Sequence, residues 1–209
     1  VTKADPPPLR LYFIRHGETA WSLTRQHTGR TDLPLTEKGE AQAAALRPWL
    51  EHVQFSHVFS SPLQRARRTC VLSGAQGVVE LEPDLQEWDY GAYEGKLSID
   101  IRKDRPDWSA FRDGCPGGEM PGDISSRVDR LIARLALFSG NVALFSHGEY
   151  AGVFAARWLG LDAAQGAHLS LDTASMSILG FNPSHPEIRA LVLWNAVPAM
   201  LQAKPPSER

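Results

Sequence analysis

Along the chain, short apolar runs alternate with longer stretches in which apolar positions recur every three or four residues. The runs are "LYFI" from Leu11, "HVFS" from His57, "VVEL" from Val78, "NVALFS" from Asn141, "SMSILGF" from Ser175 and "IRALVLW" from Ile188. Each is short, rich in β-branched or aromatic residues and bounded by turn residues, which predicts a strand. Between them lie helical patterns. "DISSRVDRLIARLALF" places Ile124, Val128, Leu131, Ile132, Leu135 and Phe138 in one apolar stripe. "TEKGEAQAAALRPWLEHV" opens with Thr36 as an N-cap and meets Pro48, which kinks or breaks a helix from within. "SPLQRARRTCVLS" predicts a helix capped by Ser61 with Pro62 at its first position. "EYAGVFAARWLG" follows directly after a strand.

Strand then helix, repeated, predicts an α/β fold: a mostly parallel central sheet of about six strands with helices on both faces. No internal repeat or long linker divides the 209 residues. A single domain over 1–209 is therefore expected, with 1–8 and 203–209 as loosely ordered ends.

Composition narrows the function classes. A net charge of −2 argues against a general nucleic-acid binder, which needs a basic surplus. No apolar run approaches the roughly 18 residues that span a bilayer. The two cysteines, Cys70 and Cys115, are too few for a disulfide framework and lack metal-site spacing. Free thiols in the cytoplasm are the expectation.

The chemistry collects at strand ends, where ligands bind in parallel α/β sheets. Arg15 and His16 follow the first strand, Ser61 and Arg65 the second, and His147 and Gly148 follow "NVALFS". Arginines offer forked, permanently charged donors, and a neutral imidazole is a nucleophile near pH 7. Two arginines and two histidines facing one space describe a phosphate pocket. Arginine beside histidine also disfavours a divalent cation, so neither metal nor cofactor is expected.

The motifs "RHGET" (15–19), "TGRTDLPLTEKG" (28–39), "SSPLQRARRT" (60–69), "LQEWDYGAYEG" (85–95) and "FSHG" (145–148) occur in the order of the histidine phosphatase superfamily, which the chain resembles. The wording of "WSLTRQHTGRTDLPLT", "EWDYGAYEG" and "FRDGC" is similar to its sedoheptulose-1,7-bisphosphatase branch. The resemblance implies a phosphoglycerate mutase-like fold, with His16 as the phosphorylated nucleophile and Arg15, Arg65 and His147 as the phosphoryl cradle. It makes Glu87 the proton donor and places Ser22, Thr28, Gly29, Tyr90, Gly148 and Glu149 at substrate-contacting positions. Ser22 stands where many members have asparagine, and Gly152 where many have arginine. Arg112, beside "DGC", becomes the candidate partner of a remote phosphate. Arg102, Lys103 and Arg105 lie near it, and Trp108 is a candidate exposed aromatic for a lid or a dimer contact. The expected function is hydrolysis of a small phosphorylated metabolite, such as a sugar bisphosphate, through a phosphohistidine. A phosphoglycerate mutase and a phospho-ligand-binding module without turnover remain the alternatives. Whether the chain forms a homo-oligomer is left open.

Overall fold

All six predicted strands form, and they join one sheet. In the computed structural model, which describes residues 6–198, they are β1 (Arg10–Arg15), β2 (Phe55–Ser60), β3 (Val79–Leu81), β4 (Asn141–Ser146), β5 (Met176–Asn182) and β6 (His185–Ala196). The order across the sheet is β3-β2-β4-β1-β5-β6. Strands β1 to β4 run parallel, while β5 lies antiparallel to β1 and forms a hairpin with β6. Residues 6–8 are exposed coil. The other residues expected to form loose ends lie outside the described residues.

The helices are α1 (Ala20–Thr24), α2 (Glu37–Ala44), α3 (Arg47–Leu50), α4 (Gln64–Leu72), α5 (Ser98–Asp104), α6 (Ala110–Asp113), α7 (Pro121–Leu135) and α8 (Gly148–Trp158). Alternation along the strands builds a core on each face. Leu11, Phe13, Val142 and Leu144 pack with Ile124, Val128, Leu131 and Leu135 of α7 and with Tyr150 and Phe154 of α8. Ile14, Val58, Ala143 and Phe145 meet Leu46, Leu50 and Cys70 on the opposite face. The predicted stripe of α7 is buried as far as Leu135, and Phe138 packs against the same core from beyond the helix end. A buried side chain of this size contributes about 1.5–3 kcal/mol, so α7 is anchored by its stripe.

Two helix boundaries carry information. Thr36 caps α2 as expected, its Oγ1 accepting from Gly39 N at 3.0 Å, and the chain breaks before Pro48 into α2 and α3. Ser61, however, does not cap α4. That helix begins at Gln64 after a turn, with no side-chain cap at its preceding Leu63. The Ser61 hydroxyl is turned towards His147 instead, 2.8 Å from its Nε2.

A close backbone crossing fixes the loop after β1. A Cβ on Gly17 would lie 2.3 Å from Gly39 O, and one on Gly39 would lie 2.1 Å from Glu18 O. Gly17 N donates to Thr69 Oγ1 at 3.0 Å, tying the same loop to α4. Gly39→Ala is therefore expected to cost about 1–3 kcal/mol of stability through overpacking and to lower kcat by displacing His16. Denaturant titration with parallel kinetics checks both.

Candidate active site

Parallel register explains why two distant histidines meet. Arg15 pairs with Ser146 across β1 and β4, so His16 and His147 leave the sheet side by side. His16 N donates to Ser146 O at 3.0 Å, and the two imidazole centroids stand 5.2 Å apart. His16 Nδ1 lies 2.7 Å from Gly17 O. A carbonyl only accepts, so Nδ1 carries the proton and Nε2 keeps its lone pair. Burial, reinforced by Arg65 and Arg15, holds the His16 imidazole well below its usual pKa. It is a neutral base in a positive field.

Arg15 is half-buried, and desolvation lowers its pKa despite nearby carboxylates. One Nη1 hydrogen goes to Leu171 O, while Nε is buried with no partner. An unpaired buried donor costs roughly 1–3 kcal/mol, and more when charged. A bound anion would satisfy it. Gly148 permits the arrangement, because a Cβ there would sit 3.0 Å from Arg15 Cζ.

Glu87 faces them from the loop before a short 3-10 turn. Its Oε1 accepts from Trp88 N at 2.9 Å and Tyr150 N at 2.8 Å, and Oε2 from Glu149 N at 3.1 Å. The carboxyl thus caps the N-terminus of α8, held by backbone N–H groups, two of which belong to the first turn of that helix and have no partner within it.

Arg15, His16, Ser22, Thr28, Glu87, Tyr90, Gly148 and Glu149 all line one cleft of about 580 Å³. Four of the anticipated positions do not reach it. Arg65 is fully buried behind the cleft, its Nε donating to His147 Nδ1 at 3.2 Å and its Nη groups to the carbonyls of Thr28, Gly29 and Thr31. His147 accepts from Arg65 through Nδ1, so Nε2 carries the proton and faces Ser61 Oγ. Both ring nitrogens are engaged with the protein. Gly29 packs under Trp88 O and gives its N–H to Glu94, which keeps it out of the cleft. Arg112 points to solvent and forks onto Asp113 at 3.0 and 2.8 Å, because the aspartate that follows it satisfies its charge locally.

Other expectations from the 96–118 segment change similarly. Lys103 pairs with Asp100, Arg105 meets the Tyr93 hydroxyl, and Arg102 donates to Trp108 O. Trp108 is buried rather than exposed, with its Nε1 on Gly114 O and its ring 5.3 Å from that of His27. Even the hydroxyl of Ser22, which lines the cleft, is committed to a reciprocal cap with Thr19.

Residues that the sequence did not single out complete the cleft. Arg25, Gln26, His27, Ser98, Asp172 and Thr173 line it, together with Phe111 from the 96–118 segment. Burial, then the charge of Arg102, pushes His27 down to about 4, so this ring is also neutral near pH 7. Behind Glu87, Arg127 donates to the carbonyls of Asp84, Gln86 and Glu87, and pairs with Glu119 at 2.6 and 3.0 Å. Glu119 in turn accepts from Asp89 N at 2.9 Å. The signal was available: Arg127 falls on the buried face of α7, three residues after Ile124.

Glu149 is the titrating group of the cleft. Burial and the neighbouring Glu87 raise it to about 7, against the opposing pull of Tyr90 and Arg15. Its Oε2 is buried without a partner. Below that value Glu149 is neutral; above it, a carboxylate faces the space where a dianion must bind. Hence kcat/KM for a phosphate ester should fall as pH rises through about 7, and Glu149→Gln should move that fall to higher pH. Profiles from pH ~5.5 to ~8.5 read this directly. An unchanged limb in the variant would exclude Glu149 as its source.

An α/β sheet edge carrying a neutral imidazole, a guanidinium short of an acceptor and a carboxyl across from both defines a phosphoryl-transfer enzyme. The description "Histidine phosphatase superfamily (branch 1)" matches residues 11–194. The chain belongs to that superfamily and is a phosphoric monoester hydrolase acting on a small phosphorylated compound. It is 40% identical over 177 residues to the acid phosphatase of Mycobacterium tuberculosis, covering 82% of this chain and 86% of that one. It is 36% identical over 185 residues to the sedoheptulose 1,7-bisphosphatase of Saccharomyces cerevisiae, covering 73% and 68%. A solved structure of a Mycobacterium tuberculosis open reading frame superposes with a TM-score of 0.84 at 34% identity, over 90% of this chain and 98% of that one. Among the described residues no helix is long and apolar enough to cross a membrane.

Proposed function

We propose that this hydrolase removes phosphate from a sugar bisphosphate such as sedoheptulose 1,7-bisphosphate, with His16 as the nucleophile. One observation carries the reading of the centre: the partnerless Nε of Arg15 stands beside the neutral His16, with Glu87 lining the same cleft.

His16 Nε2 attacks phosphorus in line, forming an N–P bond as the ester P–O bond breaks. Arg15 pairs with the equatorial oxygens, where negative charge accumulates. Arg65 supplies a second fixed positive charge from behind. His147 joins by exchanging its Nε2 hydrogen from Ser61 to a phosphoryl oxygen. The leaving alkoxide takes a proton from Glu87. Glu87 then accepts a proton from water, whose oxygen attacks the phosphohistidine and releases phosphate and free His16.

The cleft wall favours a hydroxylated substrate body over a carboxylated one. Glu87, Glu149 and Asp172 line it with Ser22, Thr28, Ser98, Ser170 and Thr173, against only Arg15 and Arg25 among fixed cations. Between its phosphates a sugar offers hydroxyl donors to these carboxyl groups, where a phosphoglycerate offers a carboxylate. The yeast sedoheptulose 1,7-bisphosphatase likeness supports the same choice. Phosphoglycerate mutase is the competing reading.

The test has two arms. Phosphate release is compared across sugar bisphosphates, sugar monophosphates and 3-phosphoglycerate, and isomerisation of the last is followed in parallel. Bisphosphate hydrolysis should dominate, whereas faster formation of 2-phosphoglycerate would replace this reading with the mutase. In the second arm, Glu87→Gln should slow an alkyl phosphate by about 10²–10⁴ and a nitrophenyl phosphate much less. Equal losses would remove Glu87 as the acid.

A further inference from the structure

The expected partner for a remote phosphate, Arg112, is spent on Asp113 at the surface. A different arginine is free. Arg25 lines the cleft as an exposed residue, and among the described residues its guanidinium has neither a hydrogen bond nor an ion pair.

Its backbone sets it apart. Arg25 ends α1 in the left-handed region, at φ 64 and ψ 28. Glycine or asparagine takes that conformation cheaply, whereas another L-residue gives up roughly 1–2 kcal/mol. The turn itself needs only the backbone, since the Arg25 N–H closes onto Trp21 O. Nothing in the helix cap calls for a guanidinium. An arginine held in a conformation it disfavours, on a cleft wall, points to a use for its side chain.

Position gives that use. Thr19, Ser22 and Arg25 all line the cleft, Thr19 as the N-cap and Arg25 as the C-cap at the two ends of α1. At 1.5 Å per residue, Arg25 stands roughly 9 Å further along this wall than Thr19, beside the loop that carries His16. That distance suits the two ends of a sugar chain rather than adjacent carbons. The field at this end is positive too. Arg102 donates to Trp108 O and lies close enough to His27 to help keep its ring neutral. The acidic groups of the outer wall are Glu149, which is half-exposed beside His27, and Asp172, whose carboxylate accepts from Asn195 Nδ2 at 3.0 Å.

We propose that Arg25 forms a second anion subsite on the outer wall of the cleft, which receives the phosphate of the substrate that is not transferred. The inference rests on the bisphosphate reading above and assigns its specificity to one side chain. A remote phosphate held there adds binding energy without touching the reacting atoms, so its loss falls on KM. An ionic hydrogen bond of about 1.5–3 kcal/mol corresponds to a roughly 10–100-fold change in affinity.

The test compares kcat/KM for fructose 1,6-bisphosphate and for fructose 6-phosphate, with 4-nitrophenyl phosphate as the reference ester. Arg25→Asn keeps a residue suited to the left-handed turn while removing the charge, and Arg25→Lys keeps a charge without the fork. The bisphosphate-to-monophosphate ratio should fall at least tenfold in Arg25→Asn, chiefly through KM, and recover in part in Arg25→Lys. Taking a ratio divides out any general loss in the variant. The wild-type preference should also shrink with added salt, as expected for an exposed ionic contact. A wild-type ratio near one, or an Arg25→Asn ratio equal to the wild type, overturns the subsite while hydrolysis of the nitrophenyl ester leaves the phosphatase standing. Equal use of both sugars by wild type would also remove the bisphosphate reading, whereas a strong preference untouched by Arg25→Asn would remove the subsite alone.

Discussion

His16→Ala should bring turnover of every phosphate ester below detection while leaving the fold intact. The side chain makes one hydrogen bond to its own neighbouring carbonyl, and its strand is held by register on both sides. Truncation therefore removes the attacking nitrogen and little else. Wild-type enzyme quenched during turnover at alkaline pH should carry an acid-labile phosphate on His16. His147 cannot substitute: its Nδ1 is occupied by Arg65 and its Nε2 carries the proton. A phosphate mapped to His147 or to a serine would overturn the role assignment. So would substantial residual turnover in His16→Ala, measured alongside an unchanged thermal transition.

Breaking the Arg127–Glu119 pair should have the second large effect, and it should be felt through Glu87. Arg127 is 8% exposed and holds the carbonyls of Asp84, Gln86 and Glu87 together with the Glu119 carboxylate. Its guanidinium also covers the Tyr150 ring, with Cζ 4.6 Å from the centroid. Removing one partner of such a pair leaves the other charge buried and costs about 3–5 kcal/mol. Arg127→Met should therefore lower the denaturation midpoint markedly. Glu119→Gln keeps the shape and loses the charge, and it is the variant to assay. If the pair aims Glu87, Glu119→Gln should slow alkyl phosphates far more than nitrophenyl phosphates. In a Glu87→Gln background the same change should add little for the alkyl ester. A uniform, additive loss on both esters would make the pair a fold-stabilising contact and nothing more.

The sheet edge was legible from sequence because strand runs and the residues that follow them are local signals. Arg15 and His16 stand where those signals put them, and Glu87, which only the family resemblance singled out, lines the same cleft. Arg65 and His147 were read as facing the phosphoryl group; both are fully buried, and here their polar atoms are turned onto protein partners. A sequence shows which groups gather at an edge; it does not show that Arg65 will spend its donors on three carbonyls of a passing loop. Ser61 reads as a cap because serine before proline is a cap signal, yet its hydroxyl is drawn to His147, a tertiary partner 86 positions away. Arg112 failed for the opposite reason, since Asp113 was the competing partner next door. Arg25 could not be found by pattern at all. Its significance depends on a positive φ and a vacant guanidinium, neither of which leaves a periodic trace.

The place of β1 in the sheet bears on how the enzyme is made. This strand carries Arg15 and leads into His16, and it is made well before the strands that flank it. Its neighbours are β4 and β5, so Arg10 has no partner until Asn141 has been synthesised about 130 residues later. At the usual pace of translation that interval is on the order of ten seconds. For all of it, the apolar run from Leu11 to Ile14 has neither ladder partner nor cover from α8. The catalytic edge cannot begin to assemble before β4 has been made, and the nascent strand must be kept from foreign edges until then.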